Sequence, residues 1–180
     1  MICKTYSELE KCLGFSVKAL YSVSNAPWKH YHTVRIPKND KGDYRELNVP
    51  DEFLKTIQRR IADRLLNDSP VSSHATAYRF GGSTIANAKP HIHKNVLLKL
   101  DIHHFFDNIL YTTIKDKVFP VEDYSEPIRV LLTLLCIRKD ALPQGAPSSS
   151  VISNIIMQDF DDTVGGWCDA RSISYTRYCD

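Results

Sequence analysis

With 180 residues, 43% of them hydrophobic, the chain is long enough to bury a core and has the size of one domain or two small lobes. Charge is nearly balanced, 23 basic against 21 acidic side chains for a formal net of +2, so any nucleic-acid partner must be recognised by local placement and not by bulk charge. Cys3, Cys12, Cys136, Cys168 and Cys179 are scattered and lack the close pairs of a zinc site or a secreted disulfide framework, and no window is long and apolar enough to span a bilayer, which together point to the cytoplasm.

In chain order, Thr5 or Ser7 and then Ser16 are candidate caps for two short helices carrying Leu9, Cys12 and Leu13, and Val17, Leu20 and Tyr21. From Tyr31 the pattern turns extended. Tyr31-His32-Thr33-Val34-Arg35-Ile36 and Arg45-Glu46-Leu47-Asn48-Val49 flank a turn-rich stretch, predicting a β-hairpin with a basic tip. Pro50 and Asp51 open a helix with Leu54, Ile57, Ile61 and Leu65 on one face and Lys55, Arg59 and Asp63 on the other. A short helical stretch through Ile85 and Lys89 is broken by Pro90.

The apolar run Val96-Leu97-Leu98-Lys99-Leu100 reads as a strand ending at Asp101. Thr112 or Thr113 caps a short helix. Ser125-Glu126-Pro127 opens another, apolar on most sides and so buried. A helix starting at Pro147 bears Ile152, Ile155, Ile156 and Phe160 and breaks at Gly165-Gly166, after which a final strand runs to Asp180. Unevenly alternating helices and strands indicate an α+β fold.

Two strand-end carboxylates, Asp101 and Asp180, suit a hard divalent cation, although each alone reads equally as a turn former or a solvated strand end. Between them Gln144-Gly145 precedes Pro147: glycine permits close backbone approach, and the helix entrance offers free amides. In the hairpin, Lys38 supplies a point charge and Arg45 a fork of donors for phosphate. Between residues 29 and 60, Lys29, Arg35, Lys38, Lys41, Arg45, Lys55, Arg59 and Arg60 outnumber Asp40, Asp43, Glu46, Asp51 and Glu52, which favours a phosphate-contacting lobe. His91, His93, His103 and His104 lack zinc-ligand spacings.

Leu98-Lys99-Leu100-Asp101-Ile102-His103-His104-Phe105-Phe106-Asp107-Asn108-Ile109 resembles the first palm motif of bacterial reverse transcriptases. Residues 142–154 resemble their Gln-Gly motif, and Tyr178-Cys179-Asp180 the start of their Tyr-x-Asp-Asp motif. Asn87-Ala88-Lys89-Pro90-His91 is similar to the Asn-Ala-x-x-His signature of the retron type, with group II intron maturases as the next likeness.

This resemblance implies right-hand polymerase fingers and palm subdomains, with a palm antiparallel sheet backed by helices and the thumb absent. Residues 1–95 would form N-terminal helices and fingers, and 96–180 the palm, with some fingers contribution from the intervening helices. It assigns Asp101, Asp180 and the Ile102 carbonyl to two Mg²⁺ ions, with Mn²⁺ a substitute. Lys38 and Arg45 would take the triphosphate, Phe106 would exclude a ribose 2′ hydroxyl while Phe105 points inward, and Gln144 with Gly145 would flank the incoming nucleotide. The implied partners are an RNA template, a DNA or RNA primer, dNTP and a cognate structured non-coding RNA, with no membrane.

The implied reaction is RNA-directed DNA synthesis by two-metal nucleotidyl transfer. Since the next motif aspartate, its return strand and the thumb are missing, residues 1–180 alone are expected to polymerise weakly or not at all. A catalytically silent nucleic-acid-binding module of polymerase architecture is the alternative of another class. A phage-defence reverse transcriptase with non-standard templating is a third reading.

Overall fold

Local capping starts the fold. In the computed structural model, which describes residues 2–37, 42 and 44–180, Thr5 opens α1 (Tyr6–Leu13) with a capping box: its Oγ1 accepts from the Glu8 amide at 3.3 Å and the Glu8 carboxylate accepts from the Thr5 amide at 2.9 Å. Gly14, at φ 68°, ends the helix in the left-handed region. Ser16 caps α2 (Val17–Ser24), and Asp51 caps α3 (Glu52–Ile61), which continues through a π-helical turn at Ala62–Leu66. Leu54, Ile57, Ile61 and Leu65 are all buried, as their helical spacing requires.

These helices pack with α6 (Glu126–Cys136) around one core. Ile128, Leu131, Leu132 and Leu135 of α6 meet Leu9, Leu13, Leu20 and Phe119 there. Burial pushes the Cys136 thiol up to about 12 and, mainly for the same reason, Cys3 to about 11, so both are protonated and inert at neutral pH. None of the five cysteines is in a disulfide.

Among the described residues the sheet is the hairpin alone. Strands β1 (Tyr31–Pro37) and β2 (Tyr44–Pro50) pair antiparallel from Tyr31 opposite Pro50 to Pro37 opposite Tyr44. Beyond Tyr31, β1 is exposed throughout, so the hairpin projects from the core and is anchored at its base. Lys38 lies outside the described residues.

Several sequence expectations need correction. The run at 96–100 joins no strand among the described residues, and Val96, Leu98 and Leu100 are 85%, 77% and 77% exposed. An apolar pattern can favour a strand but only a partner backbone makes one, since its amides and carbonyls must be paired. For the same reason the final segment shows a single parallel bridge, Ala75 with Arg177, and the antiparallel palm sheet is not formed among the described residues.

Helix α5 (Tyr111–Lys117), which follows α4 (Thr84–Ala88) in chain order, begins at Leu110 and not at a threonine. Its first amide, Tyr111, donates to the Asp140 carbonyl at 3.0 Å, so the chain enters the helix from a tertiary contact and not from a capping side chain. Helix α7 (Ser149–Asp169) starts two residues after Pro147 and runs straight through Gly165-Gly166. Gly165 serves packing: a Cβ there would stand 2.1 Å from the His74 ring.

Gly165→Ala is therefore expected to destabilise the fold by roughly 1–3 kcal/mol, as overpacking does. Adding His74→Ala should recover part of that loss in urea unfolding, and an additive double variant would show that the two side chains do not compete for space.

Candidate active site

Three segments remote in sequence form one cleft. Phe106, Tyr78 and the loop Gln144, Gly145, Ala146 and Pro147, with Ser149 and Ser150, line a cavity of about 270 Å³. Phe105 is buried in the core at 6% exposure. The neighbouring Phe106 packs edge-on against it, ring centres 5.3 Å apart, and faces the cleft.

The loop is moored to the hairpin. The Asn48 amide of β2 donates to the Gln144 carbonyl at 2.9 Å, and Arg138 Nη1 donates to Asn48 Oδ1 while its guanidinium lies 5.8 Å from the centre of the Tyr31 ring. Gly145 has φ 111°, a conformation reserved for glycine, whereas the nearest atom to a built Cβ is the Asn48 carbonyl oxygen at an ordinary 3.4 Å. Backbone conformation, more than space, thus requires the glycine. Arg45, exposed on β2 opposite Ile36, stands three residues before this anchor.

Asp101 and Asp180 are exposed, and neither carboxylate has a hydrogen-bond or ion-pair partner among the described residues. Ile102 is partly exposed. Among the described residues no group of three or more His, Cys, Asp or Glu side chains could hold a metal. Mg²⁺ needs no such cage: it is bound by one or two carboxylates together with substrate phosphates and water, and two unpaired carboxylates have the right donor chemistry.

The turn that presents Asp180 is held by a buried polar network. Cys179 adopts φ 71°, and its carbonyl accepts from Arg177 Nη1. Arg177 donates from Nε and Nη2 to the Asp161 carboxylate of α7 at 2.7–3.0 Å, and both residues are buried, at 5% and 0% exposure. Tyr175 donates its hydroxyl to Asp161 at 2.8 Å, and Asn154 accepts from Arg177 Nη2 at 3.0 Å while donating to the Ala77 carbonyl at 2.9 Å.

Tyr78 joins turn and cleft. It lines the cavity, has a left-handed backbone at φ 56°, and its phenol feels the nearby Cys179 thiol and Asp180 charge. Burial of the hydroxyl, then the Cys179 thiol and the Asp180 charge, push its pKa upward. Sequence reasoning missed Tyr78, Asp161 and the part played by Arg177. One signal was available: Asn154 and Asp161 are seven residues apart on one helix, a polar stripe on a face that also carries apolar side chains.

Residues 36–180 match the family described as reverse transcriptase (RNA-dependent DNA polymerase). The chain belongs to this family. Among curated relatives it is 37% identical over 171 residues to the retron Ec83 reverse transcriptase of Escherichia coli, covering 88% of this chain and 53% of that protein. It is 32% identical over 174 residues to the retron Ec86 reverse transcriptase of Escherichia coli, covering 96% and 54%. It is 28% identical over 201 residues to the retron Mx65 reverse transcriptase of Myxococcus xanthus, covering 99% and 47%. The likeness within the reverse transcriptase family is thus to its bacterial retron type, and the chain spans about half the length of these relatives. No helix among the described residues is long and apolar enough to cross a membrane.

Arg177→Ala or Asp161→Ala leaves a buried charge without its partner and is expected to cost about 3–5 kcal/mol in denaturant unfolding. The double variant should cost less than the sum of the two, and strict additivity would show that the ion pair is not the unit that matters.

Proposed function

We propose that the protein carrying this chain is an RNA-directed DNA polymerase of the retron type, adding dNTPs to a primer 3′ hydroxyl on an RNA template. The observation that carries the reading is the family match over residues 36–180, which includes Asp101, Phe106, Gln144 and Asp180. The geometry supports it: the cleft brings Phe106 beside Gln144 and Gly145, and Tyr78 connects that cleft to the turn before Asp180.

In this reading residues 1–95 form the N-terminal helices and fingers and 96–180 the palm. Asp101 and Asp180, with the Ile102 carbonyl, hold two divalent ions, and their exposed, unpaired carboxylates support that role. When bound, Mg²⁺ lowers the pKa of the attacking hydroxyl and stabilises charge on the leaving pyrophosphate.

The chain's own groups bind and orient. Arg45, with Lys38, folds over the triphosphate as a cationic clamp. Gly145 lets the loop backbone approach the sugar and Gln144 packs near sugar and base. Phe106 occupies the space a ribose 2′ hydroxyl would need, so selection for deoxyribose is steric. No covalent enzyme intermediate is required, because in-line displacement needs only positioning and charge stabilisation. The partners are an RNA template, a primer and a cognate structured RNA.

Primer extension on an RNA template with dNTPs and Mg²⁺ tests this with the full-length protein. Asp101→Ala is expected to reduce extension roughly a thousandfold, equivalent to about 4 kcal/mol of transition-state stabilisation. Equal extension by both would indicate a contaminant. RNA binding without extension would favour the silent nucleic-acid-binding module. In the active protein, Phe106→Ala should raise ribonucleotide incorporation relative to deoxyribonucleotide, measured as the ratio of the two kcat/KM values.

A further inference from the structure

The Asn87-Ala88-Lys89-Pro90-His91 stretch is left without a task by this reading, yet its two ends make specific contacts. Helix α4, capped by Ser83, passes into a 3₁₀ turn at Lys89–His91, and the i, i+4 spacing sets Asn87 and His91 on the same side. Thr76 Oγ1 stands 2.8 Å from Asn87 Oδ1 and 3.0 Å from the Arg177 carbonyl, so its one proton is shared between them. His91 Nε2 is 2.8 Å from Thr176 Oγ1.

Both contacts meet the chain at Thr176 and Arg177, just before the left-handed Cys179 and the exposed Asp180. That segment has little other backbone support. Its only ladder-type bonds among the described residues are Thr76 N–H to the Arg177 carbonyl at 2.8 Å and Arg177 N–H to the His74 carbonyl at 2.9 Å. Side-chain bonds from Asn87, through Thr76, and from His91 therefore do part of what strand pairing does elsewhere.

We propose that Asn87 and His91 are positioning residues: by bracing Thr176 and Arg177 they set the height and direction of the turn that presents Asp180 to the metal. This rests on the polymerase reading. Groups that hold the backbone behind a metal ligand govern metal affinity, because a carboxylate displaced by a fraction of an ångström coordinates poorly.

The full-length protein is tested with Mn²⁺ as the probe, its binding followed by electron paramagnetic resonance, alongside primer extension resolved into kcat and dNTP KM and thermal unfolding. His91→Ala and Thr176→Val, the latter isosteric but without the hydroxyl, are each expected to weaken Mn²⁺ binding and lower kcat roughly 10–100-fold. The dNTP KM and Tm should stay near wild type. His91→Gln and Thr176→Ser, which keep a hydrogen-bonding group, should recover most of both losses, as should Asn87→Asp relative to Asn87→Ala. The His91→Ala/Thr176→Val double variant should be no worse than either single.

Unchanged Mn²⁺ binding and kcat in the variants, with a competent wild type, overturns the brace alone. So does a loss that follows Tm and is not recovered by the conservative variants. A wild-type protein that neither binds Mn²⁺ nor extends a primer overturns the polymerase reading, and the brace with it.

Discussion

A guanidinium and a carboxylate taken out of water must find each other and fill their remaining hydrogen-bonding capacity, or the fold fails. Arg177 and Asp161 meet that demand in full: the carboxylate accepts from Arg177 and Tyr175, and the guanidinium also reaches Asn154 and the Cys179 carbonyl. Since Asp161 and Asn154 belong to α7, and Asn154 also holds the carbonyls of Ala77 and Tyr78, one polar cluster fixes three stretches of chain against each other. The turn bearing Asp180 is tied to that cluster through the Cys179 carbonyl.

The cleft depends on this cluster from one side and on the hairpin from the other. Tyr78, whose carbonyl Asn154 holds, faces the cavity together with Phe106 and the Gln144-Gly145 loop. The loop is attached to β2 through the Asn48 amide, so the exposed hairpin carrying Arg45 is referenced to the same cavity. Phe106 owes its direction to Phe105, which is committed to the core and leaves its neighbour half-buried at the cleft. Each wall is thus set by a buried anchor one or a few residues away, which keeps an open site geometrically defined.

Helices were legible where the signal is local. Thr5, Ser16 and Asp51 are capping residues whose side chains reach an amide three positions on, and the apolar spacing from Leu54 to Leu65 needs no knowledge of what it packs against. The starts of α5 and α7 are set outside the helices themselves: the Tyr111 amide bonds the Asp140 carbonyl, and the Ser149 hydroxyl donates back to the Pro143 carbonyl of the preceding loop at 2.7 Å. Gly165-Gly166 looked like a stop signal and is instead a gap that admits His74. The run at 96–100 has a strand's composition but acquires no ladder, since pairing is a property of two segments and composition of one.

By itself, then, the sequence determined the local helices, the hairpin, the buried apolar faces and, through the order of its motifs, the family. Only the tertiary structure decided that Arg177 and Asp161 form the buried pair behind the Asp180 turn, that Tyr78 links this turn to the cleft, and that Asn87 and His91 lean on the same segment. The physical reason is range. Capping and amphipathic spacing act within a few residues and leave a periodic trace, whereas the buried Arg177 charge is satisfied by Asp161 and Asn154, 16 and 23 positions away, whose meeting no local pattern records.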